Sequence, residues 1–262
     1  MADATAIPKP SSHWTGWAQW LALFTMTVDH LTRYALPEGW DLDWAGSSVG
    51  RIAFPLFAAM VAWHGLFNTR NPLRYARRML IIGMIAQLPY MLMPRESDGF
   101  LLNICFTLAT GLALGSLVRM GWQHYQQQSV HFGWLLAGAA AGVSLWYLLG
   151  FWVEYAHNGL LLIPLLMFAM QALSETNQDF YARLWAGLAA FPALWIAGQM
   201  NTSDMAKSFT VGTCVVVLVL AAGAAQRIPR IQWAMPRRLW LSWYPGHFAL
   251  IALWLLISGQ LG

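Results

Sequence analysis

The sequence predicts an all-α fold, a polytopic transmembrane helical bundle of about nine spans (eight to ten). Three observations predict it. Hydrophobic residues make up 58% of the 262 residues and charged residues only 10%, against about 25% charged in a soluble domain. The apolar runs are long and nearly continuous, without the period-two alternation of barrel strands. Aromatic residues are abundant, with 16 Trp, 8 Tyr and 13 Phe, a load suited to the belts at membrane interfaces. A soluble globule, a disordered chain and a nucleic-acid binder are all poor fits. The pI near 9.3 reflects basic residues in short loops between spans, where the positive-inside rule places them.

Crossing a bilayer takes about 20 apolar residues. The runs that qualify are 17–36, 47–67, 79–94, 100–119, 132–151, 158–174, 182–200, 207–225 and 239–260. The third and sixth are short, hence the range in the count. Residues 1–16 are polar and read as a cytoplasmic N-terminal segment, without the basic and apolar regions of a cleavable signal. Residues 17–262 read as one bundle domain, with no internal repeat. Loop 68–78 carries Arg70, Arg74, Arg77 and Arg78, and loop 226–238 carries Arg227, Arg230, Arg237 and Arg238. Both belong in the cytoplasm by charge. Loop 37–46 carries Glu38, Asp41 and Asp43 without a basic residue and belongs outside. Nine spans then leave the N-terminus in the cytoplasm and the C-terminus outside, with Arg95 and Lys207 as dissenting charges. Cys105 and Cys214 lie in apolar stretches without metal spacing and read as small buried hydrophobes.

An ionisable side chain in mid-bilayer costs about 2.5–3.5 kcal/mol, so each one is a candidate functional residue. Asp29 and His30 lie in span one, Asp29 about 18 Å from the cytoplasmic end. Arg51 enters span two from outside at similar depth, followed by Pro55, which would kink that helix. A buried Arg calls for a carboxylate or an anionic ligand. Asp29 therefore has two possible partners, Arg51 on another helix or Arg33 one turn along its own. Adjacent residues do not face each other on a helix, so His30 points elsewhere. Glu154 lies in the external segment before span six. His247 lies in the last span, about 12 Å from its cytoplasmic end, just after Pro245 and Gly246, which open the backbone there. Gln87, Asn103 and Thr107 either line the same cavity or bond between helices.

These residues resemble the TraX family of conjugative-plasmid membrane proteins, on its TrbP-like branch, which is similar to multispan membrane acyltransferases. The resemblance runs through Asp29-His30, Gly50-Arg51 to Ala58, and Thr69-Arg70-Asn71 with Tyr75 and Arg77-Arg78. It continues through Gln87 to Tyr90, Leu102-Asn103 with Phe106-Thr107-Leu108 and Gly111, and ends at Tyr244-Pro245 with His247. Any one motif is weak; the ordered set is fairly specific. The family has an acidic-Tyr-Gly pattern near residue 154, from which Ala156 and His157 depart.

The resemblance implies N-acetylation of a conjugative pilin subunit in the bacterial inner membrane, with acetyl-CoA as donor. Acetyl transfer to an amine needs a base, and the candidate is His30, oriented by Asp29 or beside an Asp29–Arg51 pair, with His247 as the alternative base or a second donor. Arg51 would polarise the carbonyl, and Arg74, Arg77 and Arg78 would meet the CoA phosphates. Glu154, Tyr244, Asn103 and Gln87 would contact substrate. The expected partners are the pilin, the lipid bilayer and other conjugative transfer proteins, with no nucleic acid and no metal. Neither a soluble-acetyltransferase signature nor a phosphate-binding glycine loop is present, so a donor site has to be built between helices. A proton-coupled transporter and a non-catalytic pilin assembly factor are the competing readings.

Overall fold

The structure is a computed structural model that describes residues 10–36, 40–94, 99–175 and 180–259. Glu38 and Arg95 lie outside the described residues. The helices run α1 (His13–Tyr34), α2 (Asp43–Ser47), α3 (Ala53–Trp63), α4 (Pro72–Met91), α5 (Ile104–Gln126), α6 (Phe132–Leu149), α7 (Ala156–Ser174), α8 (Phe180–Gly198), α9 (Asp204–Ala221) and α10 (Arg237–Ile257). Beyond an isolated parallel bridge between Leu102 and Val153, no strand pairing occurs among the described residues.

Among the described residues, seven helical segments are long and apolar enough to cross a membrane: Asp43–Asn68 and helices α5 to α10. Helices α1 and α4 have similar lengths, 22 and 20 residues, but are more polar. One carries Asp29, His30 and Arg33, the other Arg74, Arg77 and Arg78. The protein is thus an all-α, multispan bundle.

Helix α3 is its centre. Every residue of α3 except Phe57 is buried, and it packs on α1, α5, α7 and α9. Its alanines, at 53, 58, 59 and 62, let neighbours approach closely, as packing in lipid requires. Pro55 does not kink this segment. It falls in the first turn of α3, where its missing N–H has no intrahelical partner to lose, and the chain enters through a 3₁₀ turn at Val49–Ile52. Helix α5 meets α7 across Gly111 and Gly115, where an added Cβ would lie 2.5 Å from Ile163 Cδ1 and 2.7 Å from Met167 Sδ. Helix α6 has no buried residue at all.

One end of the bundle collects the start of α1 and the arginines that open α4 and α10. Ser12 Oγ accepts from Trp63 Nε1 at 2.9 Å, and Trp17 and Trp20 donate to the carbonyls of Pro229 and Trp233. The arginines expected in loop 68–78 are partly helical, because Asn71 caps α4 by accepting the Arg74 N–H at 2.9 Å and Pro72 opens the helix. Those two residues form a helix start, so Arg74, Arg77 and Arg78 lie on the first turns of α4. Arg237 and Arg238 likewise open α10. At the opposite end Lys207 is 3.9 Å from Asp204, so this dissenting charge is locally compensated.

At that opposite end the chain makes a constrained turn before α7. Leu102 N–H donates to Trp152 O at 2.7 Å, Glu154 N–H donates to Leu102 O at 3.0 Å, and Thr107 Oγ1 donates to Glu154 O at 2.8 Å. Tyr155 (φ 62°) and Ala156 (φ 50°) are both left-handed, a conformation that costs a non-glycine residue about 1–2 kcal/mol. Ala156→Gly is therefore expected to stabilise the protein by about 1 kcal/mol, seen as a higher midpoint in thermal unfolding of the detergent-solubilised protein; a lower midpoint would refute the assignment of strain.

Candidate functional site

The first and last long helices meet at a pair of histidines. His30 on α1 and His247 on α10 are both buried, and His30 Nδ1 lies 2.7 Å from His247 Nε2. The rings are parallel within 5°, and Phe248 packs against both. A second hydrogen bond assigns the protons. His247 Nδ1 lies 2.8 Å from the Trp243 carbonyl, which can only accept, so this nitrogen carries the hydrogen. In a neutral His247 the Nε2 lone pair then accepts, and His30 Nδ1–H is the donor. This leaves His30 Nε2 with a free lone pair. Trp243 Nε1 also donates to Thr27 Oγ1 at 3.1 Å, a second tie between the two helices.

His30 Nε2 faces Asp29 Oδ2 at 3.8 Å, too long for a hydrogen bond. Neighbours in sequence thus converge on the same space although they do not bond. Asp29 pairs with Arg33, whose Nη2 lies 3.3 Å from the carboxylate. The partner is the residue one turn along α1 and not Arg51. Among the described residues Arg51 makes no ion pair, and its Nε is buried without a hydrogen-bond partner. It lies within electrostatic reach of His30 and Tyr155.

Gly50 explains how the carboxylate is held. A Cβ at this position would lie 2.6 Å from Asp29 Oδ1 and 2.7 Å from Asp29 Cβ. At Gly46 it would lie 3.0 Å from Thr32 Oγ1 and 3.8 Å from Asp29 Oδ1. The Gly50-Arg51 motif is in part a packing motif, and the four-residue spacing of Gly46 and Gly50, a known signal of close helix approach, would have revealed it.

The remaining candidates divide. Asn103 caps α5 through Cys105 N–H, donates to Gly83 O at 2.7 Å and bonds Gln87 Oε1 at 2.8 Å, while Gln87 donates to Leu101 O. These two amides join α4 to α5. Glu154 sits on the constrained turn within electrostatic reach of Arg33, Tyr34 and Tyr155. Tyr244 packs edge-on to Phe248, and its hydroxyl is buried without a hydrogen-bond partner. Tyr244 also lines a pocket of about 470 Å³ bounded by α1, α3, α4, α5 and α10, which takes in Arg78 but not Arg74 or Arg77. Arg237, which sequence reasoning used only for orientation, lines it too. Among the described residues no three His, Cys, Asp or Glu side chains gather as metal ligands would.

Fold and site define a class: a multispan helical membrane protein with a carboxylate and two imidazoles buried between its first and last helices. The family profile described as TraX protein matches residues 17–257. The chain belongs to this family of conjugation-associated membrane proteins. No curated protein and no solved structure gives a significant match.

Gly50→Ala is expected to push the Asp29 side chain out of place and destabilise the protein by about 1–3 kcal/mol, the usual scale for overpacking. Gly133→Ala on α6, where nothing lies within 4 Å of the added Cβ, should not lower stability. Equal thermal midpoints for the two variants would contradict the packing described here.

Proposed function

We propose that the protein is a membrane-bound N-acetyltransferase of the bacterial inner membrane, which transfers an acetyl group from acetyl-CoA to the N-terminal amine of a conjugative pilin subunit. One observation carries the reading. His30 Nε2 and Asp29 Oδ2, two acceptors 3.8 Å apart, converge where no donor among the described residues satisfies both. A primary ammonium suits that position, because it presents several N–H donors and a positive charge. TraX membership supports the reaction class.

His30 is the base. Its Nε2 receives the proton that the ammonium loses, and the amine nitrogen then attacks the thioester carbonyl. The N–C bond forms and the C–S bond breaks; of the two protons the nitrogen gives up, one passes through His30 to the leaving thiolate and the other is released to solvent, so atoms and charge balance. His247 orients His30 by accepting from Nδ1, and Trp243 fixes His247 in turn. Asp29 holds the ammonium, with Arg33 compensating its charge. Arg51, not bound to the carboxylate, is the cation available to the developing oxyanion. Arg74, Arg77 and Arg78 lie at the end of the bundle that would face the donor phosphates. Glu154 and Tyr244 flank the acceptor, and Asn103 and Gln87 act by holding α4 and α5 together. In this reading all nine long helical runs cross the membrane, with the N-terminus in the cytoplasm and the C-terminus in the periplasm. Other conjugative transfer proteins are further partners.

The test is the intact mass of the co-expressed cognate pilin, with the protein present, absent, or carrying His30→Ala. An acetyl increment is expected only with the intact protein. His30→Ala should slow acetylation by about 10²–10⁴-fold, the usual contribution of a general base. Identical pilin masses in all three cultures would overturn pilin acetylation and leave the assembly-factor and transporter readings standing.

A further inference from the structure

We infer that Arg237, together with Arg78, forms the anion clamp of the donor site, and that the pocket they share holds the arm of a phosphorylated acyl donor. The inference rests on the acetyl-transfer reading above for the name of the donor, but the clamp is argued from geometry.

The two arginines come from helices far apart in the chain. Arg78 lies near the start of α4 and Arg237 is the first residue of α10. The two helices pack on each other and bring both side chains to one pocket. Its volume, about 470 Å³, falls within the range of small-molecule sites. Apart from these arginines the lining is almost wholly apolar, with Leu23, Met26, Phe57, Ile82 and Leu108 among its walls.

Electrostatics points to an anion. A helix start carries partial positive charge and favours acidic side chains. Neither α4 nor α10 has an acidic residue in its first turn. Among the described residues neither Arg78 nor Arg237 is in an ion pair. Two uncompensated guanidinium groups at one opening are matched by a phosphate, which arginine binds through paired N–H donors.

The depth of the pocket suits an arm. Along α10, Arg237 and His247 are separated by about 15 Å of helix rise. Trp243 and Tyr244 line the pocket, and the Trp243 carbonyl is the group that holds His247. A ligand with phosphate at the arginines and a slim arm therefore extends along α10 as far as Trp243 and Tyr244, the turn of helix whose Trp243 carbonyl holds His247. An acyl-CoA has this shape. An anionic phospholipid shares the phosphate chemistry, and the experiment separates the two.

The protein is reconstituted in nanodiscs of phosphatidylcholine, and binding of CoA and of pantetheine, which lacks phosphate, is measured by calorimetry. Arg237→Ala and Arg78→Ala are each expected to weaken CoA binding by about tenfold or more, the scale of a charge-assisted contact. Pantetheine binding should not change, and Arg237→Lys should recover part of the loss. Arg183→Ala on α8, which does not line the pocket, is the control. All variants are first matched to the intact protein in elution and thermal midpoint. CoA binding unchanged in Arg237→Ala overturns the clamp, while pilin acetylation by the intact protein would still uphold the reaction. Binding of phosphatidylglycerol that depends on Arg237, with no binding of CoA, overturns the donor assignment in favour of a lipid headgroup.

Discussion

The structure depends on one constraint: a carboxylate and two imidazoles lie inside a bundle that offers them few partners. Each buried polar group left unsatisfied in such surroundings costs several kcal/mol. Asp29 meets the demand within its own helix, through Arg33. The histidines meet it between helices, through one hydrogen bond from α1 to α10 and a second from His247 to the backbone of α10. The first and last long helices are joined where their polar groups match, with Phe248 filling the apolar space around the rings. Gly50 supplies the other half of the arrangement by letting the chain press on Asp29 from the opposite side.

Much of this was legible in the sequence, for physical reasons. The multispan fold follows from composition because lipid tolerates so few charges, and Asp29, His30 and His247 stood out because their burial is expensive. The partner of Asp29 could not be read, since Arg33 and Arg51 both match it in charge and the choice turns on helix rotation and approach. The mutual bond of His30 and His247 joins residues 217 positions apart, a separation across which hydropathy carries no information. Pro55 and the arginines of α4 were misread for one reason. Hydropathy marks where the chain enters lipid, whereas helix ends are marked by caps and prolines, here Asn71 and Pro72.

Polar residues of similar appearance do different work in this bundle. Gln87 and Asn103 bond to each other and to nearby carbonyls, so their polarity is consumed in joining α4 to α5. His30 retains an unused acceptor beside Asp29, and Arg51 an unused buried donor. The distinction lies in which groups keep hydrogen-bonding capacity after the fold is complete. That residue of capacity is what a substrate can engage.

Helix α6 stands outside this economy of contacts. None of its residues is buried against the rest of the protein, so its length answers to the bilayer more than to neighbouring side chains. Its 18 residues span about 27 Å, slightly less than a typical hydrocarbon core of about 30 Å. Hydrophobic mismatch should therefore register first at α6. In a thicker membrane the lipid must thin around this helix while the tightly packed α3 keeps its place, so among the described helices α6 answers directly to the lipid that surrounds it.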